Sequence, residues 1–273
     1  MEIAQDKDSH QRLELIDSHC HLDFHVFDDT RESLINECLE KGIEKFIVPG
    51  VTAATWARLK KVSTDFPSIY PAYGLHPYFL NEHDLAHVDK LKLFLQKESA
   101  VAIGEIGLDY FLQDLDKEFQ QVIFSAQLEV ASELKLPVIL HVRKAHDDVL
   151  IHLKKHNLIG GTVHAFNGSY QQAIRYIDLG FKLGFGGALT FDRAKHLTKL
   201  VAQLPLEAIL LETDSPDMLP ANYAEQYNTP LTILSVLQCI CDIRNEDVAE
   251  VAEQITKNTC NLFSISISIS ISN

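Results

Sequence analysis

Along this chain a short apolar run, a polar or histidine-bearing turn and an amphipathic stretch succeed one another repeatedly. Eight apolar runs stand at 13–17, 45–50, 69–75, 100–105, 138–141, 161–164, 181–185 and 208–212. They are short and unalternating, the pattern of strands buried on both faces of a parallel sheet. Between them, 28–41, 53–66, 116–135, 147–156, 170–179 and 194–204 carry apolar residues at helical spacing, and 82–98 does so less regularly. Gly42, Pro67 and Gly180 each stand where a helix should stop. Two further helices are expected at 230–243 and 246–263. Strand–helix alternation repeated eight times predicts an α/β chain with a parallel sheet, closed as a (β/α)8 TIM barrel. A doubly wound open sheet is the alternative.

No linker rich in Pro, Gly or Ser divides the sequence, so 1–263 is expected to form a single domain. Residues 264–273 alternate Ser and Ile before a final Asn. Period-two alternation suits an edge strand, but low complexity past a domain end suits a dangling tail, and no function is assigned to it.

Composition changes the picture in three ways. Five scattered cysteines and a polar segment at 1–11 without the apolar stretch of a signal peptide predict a cytoplasmic protein without disulfides. No run approaches ~18 consecutive apolar residues, so no membrane-spanning helix is expected. Lys+Arg 24 against Asp+Glu 38 gives a formal charge of −14. That excludes a protein that coats duplex DNA through a basic face, but not an enzyme that takes one chain end into a metal site.

The candidate chemistry sits at the ends of the apolar runs. His19 and His21 form an H-x-H pair after the first, and residues two apart in extended chain point to the same side. Glu105, His141 and His164 close the fourth, fifth and sixth runs, and Asp214 follows the eighth. An ionisable group at the end of an apolar strand is costly unless solvated, paired or ligated. In a barrel these ends share one rim, so the six residues are expected to converge on a metal site. Imidazole and carboxylate without cysteine suit Zn, Mn, Fe or Ni and admit Mg, and six donors exceed what one tetrahedral ion needs. Cys20, between the paired histidines, should face the other way. His25, His83, His87, His146, His152, His156 and His196 fall on or near amphipathic helices and are expected to be solvated. Cys239 and Cys241 diverge on a helix. Tyr110, Phe111 and Phe166 could stack on a base, with packing in the upper core slightly favoured.

Residues 17–23 (DSHCHLD), 74–77 (GLHP), 104–109 (GEIGLD), 141–143 (HVR), 164–168 (HAFNG), 212–216 (ETDSP) and 258–263 (NTCNLF) together resemble the TatD family of metal-dependent hydrolases. That resemblance runs in order from about Leu13 to Phe263 and implies an amidohydrolase-like TIM barrel. It also implies two divalent ions (Mg, Mn or Zn). His19, His21, Glu105 and Asp214 hold one, and Glu105, His141 and His164 hold the other, with Glu105 as the bridge. Characterised members include divalent-metal deoxyribonucleases, several of them 3′–5′ exonucleases, while others are unassigned hydrolases; this chain is most similar to the latter branch. The implied activity is phosphodiester hydrolysis of DNA, preferably at single-stranded ends, with Asp214 and Glu105 catalytic. The alternative is hydrolysis of a small-molecule ester, lactone, amide or phosphotriester; neither implies a membrane or an obligate protein partner. His76 and Arg143 are candidate substrate contacts, Asp17 or Asp23 candidate orienters of an imidazole, and Glu212 a candidate buttress for Asp214. Family members often place another His after GLHP; here it is Tyr78.

Overall fold

The computed structural model describes residues 14–266. Eight strands, β1 Leu15–Asp17, β2 Ile43–Pro49, β3 Ile69–Tyr73, β4 Ala102–Asp109, β5 Val138–Arg143, β6 Gly161–Val163, β7 Phe181–Phe185 and β8 Ile209–Leu211, lie parallel in one sheet in chain order. Helices α1 Arg31–Glu40, α2 Trp56–Asp65, α3 Leu85–Leu95, α4 Lys117–Leu134, α5 His146–Leu153, α6 Tyr170–Asp178 and α7 Lys195–Gln203 follow the first seven strands in turn. After β8 come α8, Ile233–Arg244, and α9, Val248–Phe263. A doubly wound sheet reverses its strand order part-way, and this one does not. The last strand also returns to the first. Ser18 N donates to Leu211 O at 3.0 Å, Asp214 N to His19 O at 2.9 Å and His21 N to Ser215 O at 2.7 Å. The fold is therefore a TIM barrel.

Alternation along the strands sorts the core into two layers. Leu15, Phe46, Val48, Leu140 and Leu211 belong to the large cluster that the outer helices cover. Ile16, Ile47, Ala72, Ala102, Ile139 and Leu210 form a second cluster inside the barrel, joined by Phe263 and Ile265 from the end of α9. Side chains two further along a strand project the same way. His141 thus stands one layer above Ile139, His164 above Thr162 and Glu212 above Leu210.

Several expected boundaries shift. The fourth strand does not stop at Glu105 but runs on to Asp109, with its register against β5 slipping between Ile103 and Ile106. Glu105 consequently sits at an irregularity inside the strand, not at its end. Gly107, at φ 149°, looks like a turn residue in sequence, yet it is needed within the strand because a Cβ there would lie 1.9 Å from His141 O. The fifth strand likewise continues two residues past His141. The stretch 230–243 begins with a single 3-10 turn, Pro230–Thr232, before α8. The Ser-Ile tail does not begin as a dangling segment: Ile265 is buried in the inner cluster. The rest of the tail from 267, the polar segment 1–11 and Leu13 lie outside the described residues. Among the described residues no helix is long and apolar enough to cross a membrane.

Candidate metal centre

The six expected donors and His76 meet above the inner core. One donor atom each from His19, Glu105 and His164 lie within 4.8 Å of one another; so do those of His19, His21 and Asp214, and those of His76, Glu105 and His141. Glu105, 2 % exposed, is shared between two sides. Its Oε2 lies 3.1 Å from His19 Nε2 and 3.8 Å from His21 Nε2. Its Oε1 lies 3.0 Å from His76 Nε2 and 3.0 Å from His141 Nδ1. Asp214 sets Oδ1 at 3.6 Å from His19 Nε2 and 3.7 Å from His21 Nε2, and Oδ2 at 3.6 Å from His164 Nε2. The His19 and His164 rings stack, with centroids 3.7 Å apart. His164 therefore groups with His19, while His76 takes the place beside His141.

Backbone irregularity aims these groups. Asp214 at φ 57° and Ala165 at φ 45° are left-handed, a conformation Asp tolerates better than most residues. Asp17, fully buried, stitches the closing seam beneath the H-x-H pair. Its Oδ1 accepts from His19 N at 3.2 Å and Thr213 N at 3.0 Å, and its Oδ2 accepts from Thr213 Oγ1 at 2.5 Å.

The buried nitrogens carry a chemical signature. His19 is fully buried, yet neither ring nitrogen is satisfied, its approach to Glu105 having the distance but not the angle of a hydrogen bond. Nδ1 of His21, Nδ1 of His164 and Oε2 of Glu212 are unsatisfied as well. Buried polar atoms are nearly always hydrogen-bonded, and such a concentration of imidazole and carboxylate donors fits divalent cations. Burial and the His19 charge push the His21 pKa down to about 3, leaving its ring neutral and able to ligate. Burial pulls the other way at Glu105, but His76, His19 and His141 hold its carboxyl well below the usual range. Burial lifts Asp214 to about 6. Burial opposes charge on His164, but Glu212 and Asp214 outweigh it and raise the ring to about 10.

Around these donors the supporting contacts differ from expectation. Glu212 does not buttress Asp214; its Oε1 accepts from Ala165 N at 2.7 Å and faces His164 Nδ1 at 3.1 Å. Gly184 makes room for it, since a Cβ there would fall 2.1 Å from Glu212 Oε2. Asp17 holds backbone and a hydroxyl, not an imidazole, and Asp23 is buried with its Oδ1 unpartnered. The imidazole orienter is Asp109, which sequence reasoning missed: its Oδ2 lies 3.0 Å from His141 Nε2 and its Oδ1 accepts from Phe111 N at 3.0 Å. The signal was present in GEIGLD, because 105 and 109 share strand parity once β4 is read as continuous.

His76 accepts from Tyr78 N through Nδ1 at 3.0 Å. A neutral ring so bonded carries its proton on Nε2, which donates to Glu105. Arg143 is not in the cluster; it is exposed at the end of β5, with its guanidinium 3.8 Å from the Phe111 ring centroid. Phe166 is buried as packing would have it, Tyr110 is half-buried, but Phe111 is 48 % exposed. Two histidines assigned to solvent are buried instead. His83 Nε2 bonds His76 O at 3.0 Å, and His146 lies between Tyr176 Oη and Asn167 Oδ1 at 3.2 and 3.1 Å. Cys20 points away from the donors, into the core.

Residues 16–264 match the family model described as TatD related DNase. The chain is 40 % identical to the uncharacterized metal-dependent hydrolase YjjV of Escherichia coli K12, over 92 % of this chain and 98 % of the relative. It is 33 % identical to the uncharacterized metal-dependent hydrolase YabD of Bacillus subtilis, over 92 % and 99 %. The crystal structure of the Escherichia coli YjjV protein, a TatD homolog, superposes with a TM-score of 0.89, covering 92 % of this chain and 98 % of that one at 40 % identity. An organophosphorus hydrolase variant from Deinococcus radiodurans shares the fold, with a TM-score of 0.66 at 16 % identity over 92 % and 93 %. With the donor cluster and the match along nearly the whole barrel, the chain belongs to the TatD-related DNase family of metal-dependent hydrolases.

Proposed function

We propose that this hydrolase is a deoxyribonuclease that binds two divalent ions and cleaves phosphodiester bonds at single-stranded 3′ ends. The observation that carries it is the two-sided Glu105: Oε2 faces His19 and His21 while Oε1 faces His141. One carboxylate bridging two donor sets is what a pair of ions needs. His19, His21, Glu105 and Asp214 would hold one ion, and Glu105 with His141 the other; His164, which stacks on His19, would have to lean toward His141 to join that second set, and Zn, Mn and Mg suit these donors. His76 adjoins the second set, with its Nε2 proton given to Glu105 Oε1; turned from that carboxylate, the same N–H would donate to a phosphate oxygen. The catalytic unit is the single domain expected over 1–263, and cysteines that form no disulfide accord with a cytoplasmic setting.

Bound divalent ions supply Lewis-acid activation of water and of the phosphoryl oxygens. Asp214, with 15 % of its side chain exposed, is the most open of the acidic donors. Its carboxylate takes the proton of the attacking water and holds it at Oδ1 or Oδ2. His76 Nε2–H, once released from Glu105, would steady the phosphoryl group, and Glu105 would keep both donor sets in register.

A small-molecule ester, lactone, amide or phosphotriester is the second candidate substrate, favoured by the −14 charge, which repels a polyanion at long range. End-labelled single-stranded DNA with Mg²⁺, Mn²⁺ or Zn²⁺, run beside a panel of such small molecules, separates the two. The expected result is shortening from the 3′ end, reduced about 10²–10⁴-fold in Asp214→Asn. Asn tolerates the left-handed backbone at 214, so the variant tests chemistry rather than folding. Turnover of the small molecules with intact DNA overturns the nuclease assignment.

A further inference from the structure

Next to the donor cluster, the ends of β4 and β5 carry an exposed aromatic ring in contact with two cations. Asp109 pairs in register with Arg143, and Tyr110 N donates to Arg143 O at 2.9 Å, so the two strand ends are locked together. On this corner the Arg143 guanidinium lies 3.8 Å from the Phe111 ring centroid, and Lys144 Nζ lies 4.8 Å from it. All three side chains are exposed, the phenyl by 48 %. The corner is also tied rigidly to the site. Asp109 accepts from Phe111 N through one carboxylate oxygen and holds His141 with the other, while Arg143 lies two residues beyond His141 on the same strand.

Two features set this corner apart from an ordinary surface ring. Lys144 is held at φ 54°, a left-handed conformation just past β5 from which its Nζ still reaches the Phe111 ring. Two adjacent cations in a chain of net charge −14 also concentrate positive potential where the rest of the molecule repels phosphate. Lys144 further lines an open cavity of about 330 Å³ together with Asp147 and Asp148.

We infer that Phe111, Arg143 and Lys144 form a nucleotide subsite beside the metal centre, binding the residue of a single-stranded nucleic acid that adjoins the scissile phosphate. A base stacks on the Phe111–Arg143 ledge, which accepts any base because every base offers a π face. The neighbouring phosphate meets the Arg143 fork and the Lys144 ammonium. This extends the nuclease assignment by naming what the chain end rests on.

The test is fluorescence anisotropy with a 5′-fluorescein-labelled, phosphorothioate-linked oligothymidine, which binds without being cleaved, on the metal-loaded protein. Phe111→Ala and Arg143→Gln are each expected to weaken binding about tenfold. Arg143→Gln also flattens the plot of log Kd against log salt by about 0.7, the share of one lost phosphate contact on a single strand. Phe111→Trp should retain affinity. Leu93→Ala, which removes another exposed apolar side chain on α3, should match the wild type. Kd values within twofold of wild type for both Phe111→Ala and Arg143→Gln overturn the subsite, as does a wild type without affinity for the oligonucleotide. A wild type that hydrolyses only small molecules, yet loses oligonucleotide affinity in Phe111→Ala, sinks the nuclease assignment and leaves the subsite standing. A wild type that cuts DNA no faster than Phe111→Ala and Arg143→Gln do sinks the subsite alone.

Discussion

His141 shows how one side chain is tuned by what stands behind it. Nδ1 faces Glu105 and Nε2 faces Asp109, each at 3.0 Å. Burial works against charge on the ring, but the two carboxylates outweigh it and raise its pKa. With a proton kept on Nε2 by Asp109, Nδ1 is free to offer its lone pair to an ion. Asp109 has a second duty, accepting from Phe111 N, and an amide oxygen paired with an amide nitrogen cannot serve both. Asp109→Asn is therefore expected to lower metal affinity about 10–100-fold, read by competition with a chromogenic chelator. An affinity equal to wild type would show that His141 is oriented by something else. That pairing was hidden in the sequence for a local reason: Gly107 reads as a turn, and only the close approach of the His141 carbonyl shows why a strand needs glycine there.

At the scale of elements, the seam between the last strand and the first carries the most specific chemistry. β8 and β1 are each three residues long, and the hydrogen bonds that join them are made largely by the loops beyond their ends. Asp17 supplies two more, to Thr213 N and Thr213 Oγ1, and a third bond to His19 N within its own turn. Asp17→Ala leaves two buried N–H groups without acceptors and should cost about 2–4 kcal/mol, seen in urea unfolding. Burial, partly offset by the Thr213 and His19 hydrogen bonds, raises the Asp17 pKa from 3.8 to about 8. The sign follows directly. Between those values the folded chain holds a proton that the unfolded chain has released, so this group's contribution to stability falls as pH rises from about 4 to about 8. Asp17→Asn keeps an acceptor for the two N–H groups but cannot titrate. Its melting temperature should fall less than that of the wild type across that window, and parallel curves would refute the assignment. The eight runs and nine helical stretches were legible from periodicity. This seam was not, because its bonds join residues some 196 positions apart through a side chain.

For the molecule as a whole, convergence was readable because a barrel turns scattered strand ends into one rim: His19, His21, Glu105, His141, His164 and Asp214 needed only strand parity to meet. What stayed illegible was partnership above the rim. Nothing in composition says that Glu212 leans on His164, that His76 closes on Glu105, or that His83 and His146 are buried. Each depends on which loop folds over which. The unsatisfied nitrogens of His19, His21 and His164 carry a consequence at this scale. A fold that buries unpaired donors should gain stability when an ion takes them up, because the ion binds the assembled cluster and not the unfolded chain. At a free metal concentration about 100 times Kd, linkage adds about 2.7 kcal/mol for one site. For a chain of this size that raises Tm by at least about 5 °C. Differential scanning of chelator-stripped protein against protein titrated with Zn²⁺ or Mn²⁺ should show that rise, together with recovery of hydrolysis. Glu105→Gln should lose most of the shift, since a neutral amide cannot bridge two ions as a carboxylate does. Asp65→Asn, at a surface ion pair with Lys61 on α2, should keep it. A Tm indifferent to metal in the wild type, or an equal shift in Glu105→Gln, would mean that these donors do not form the ion-binding centre.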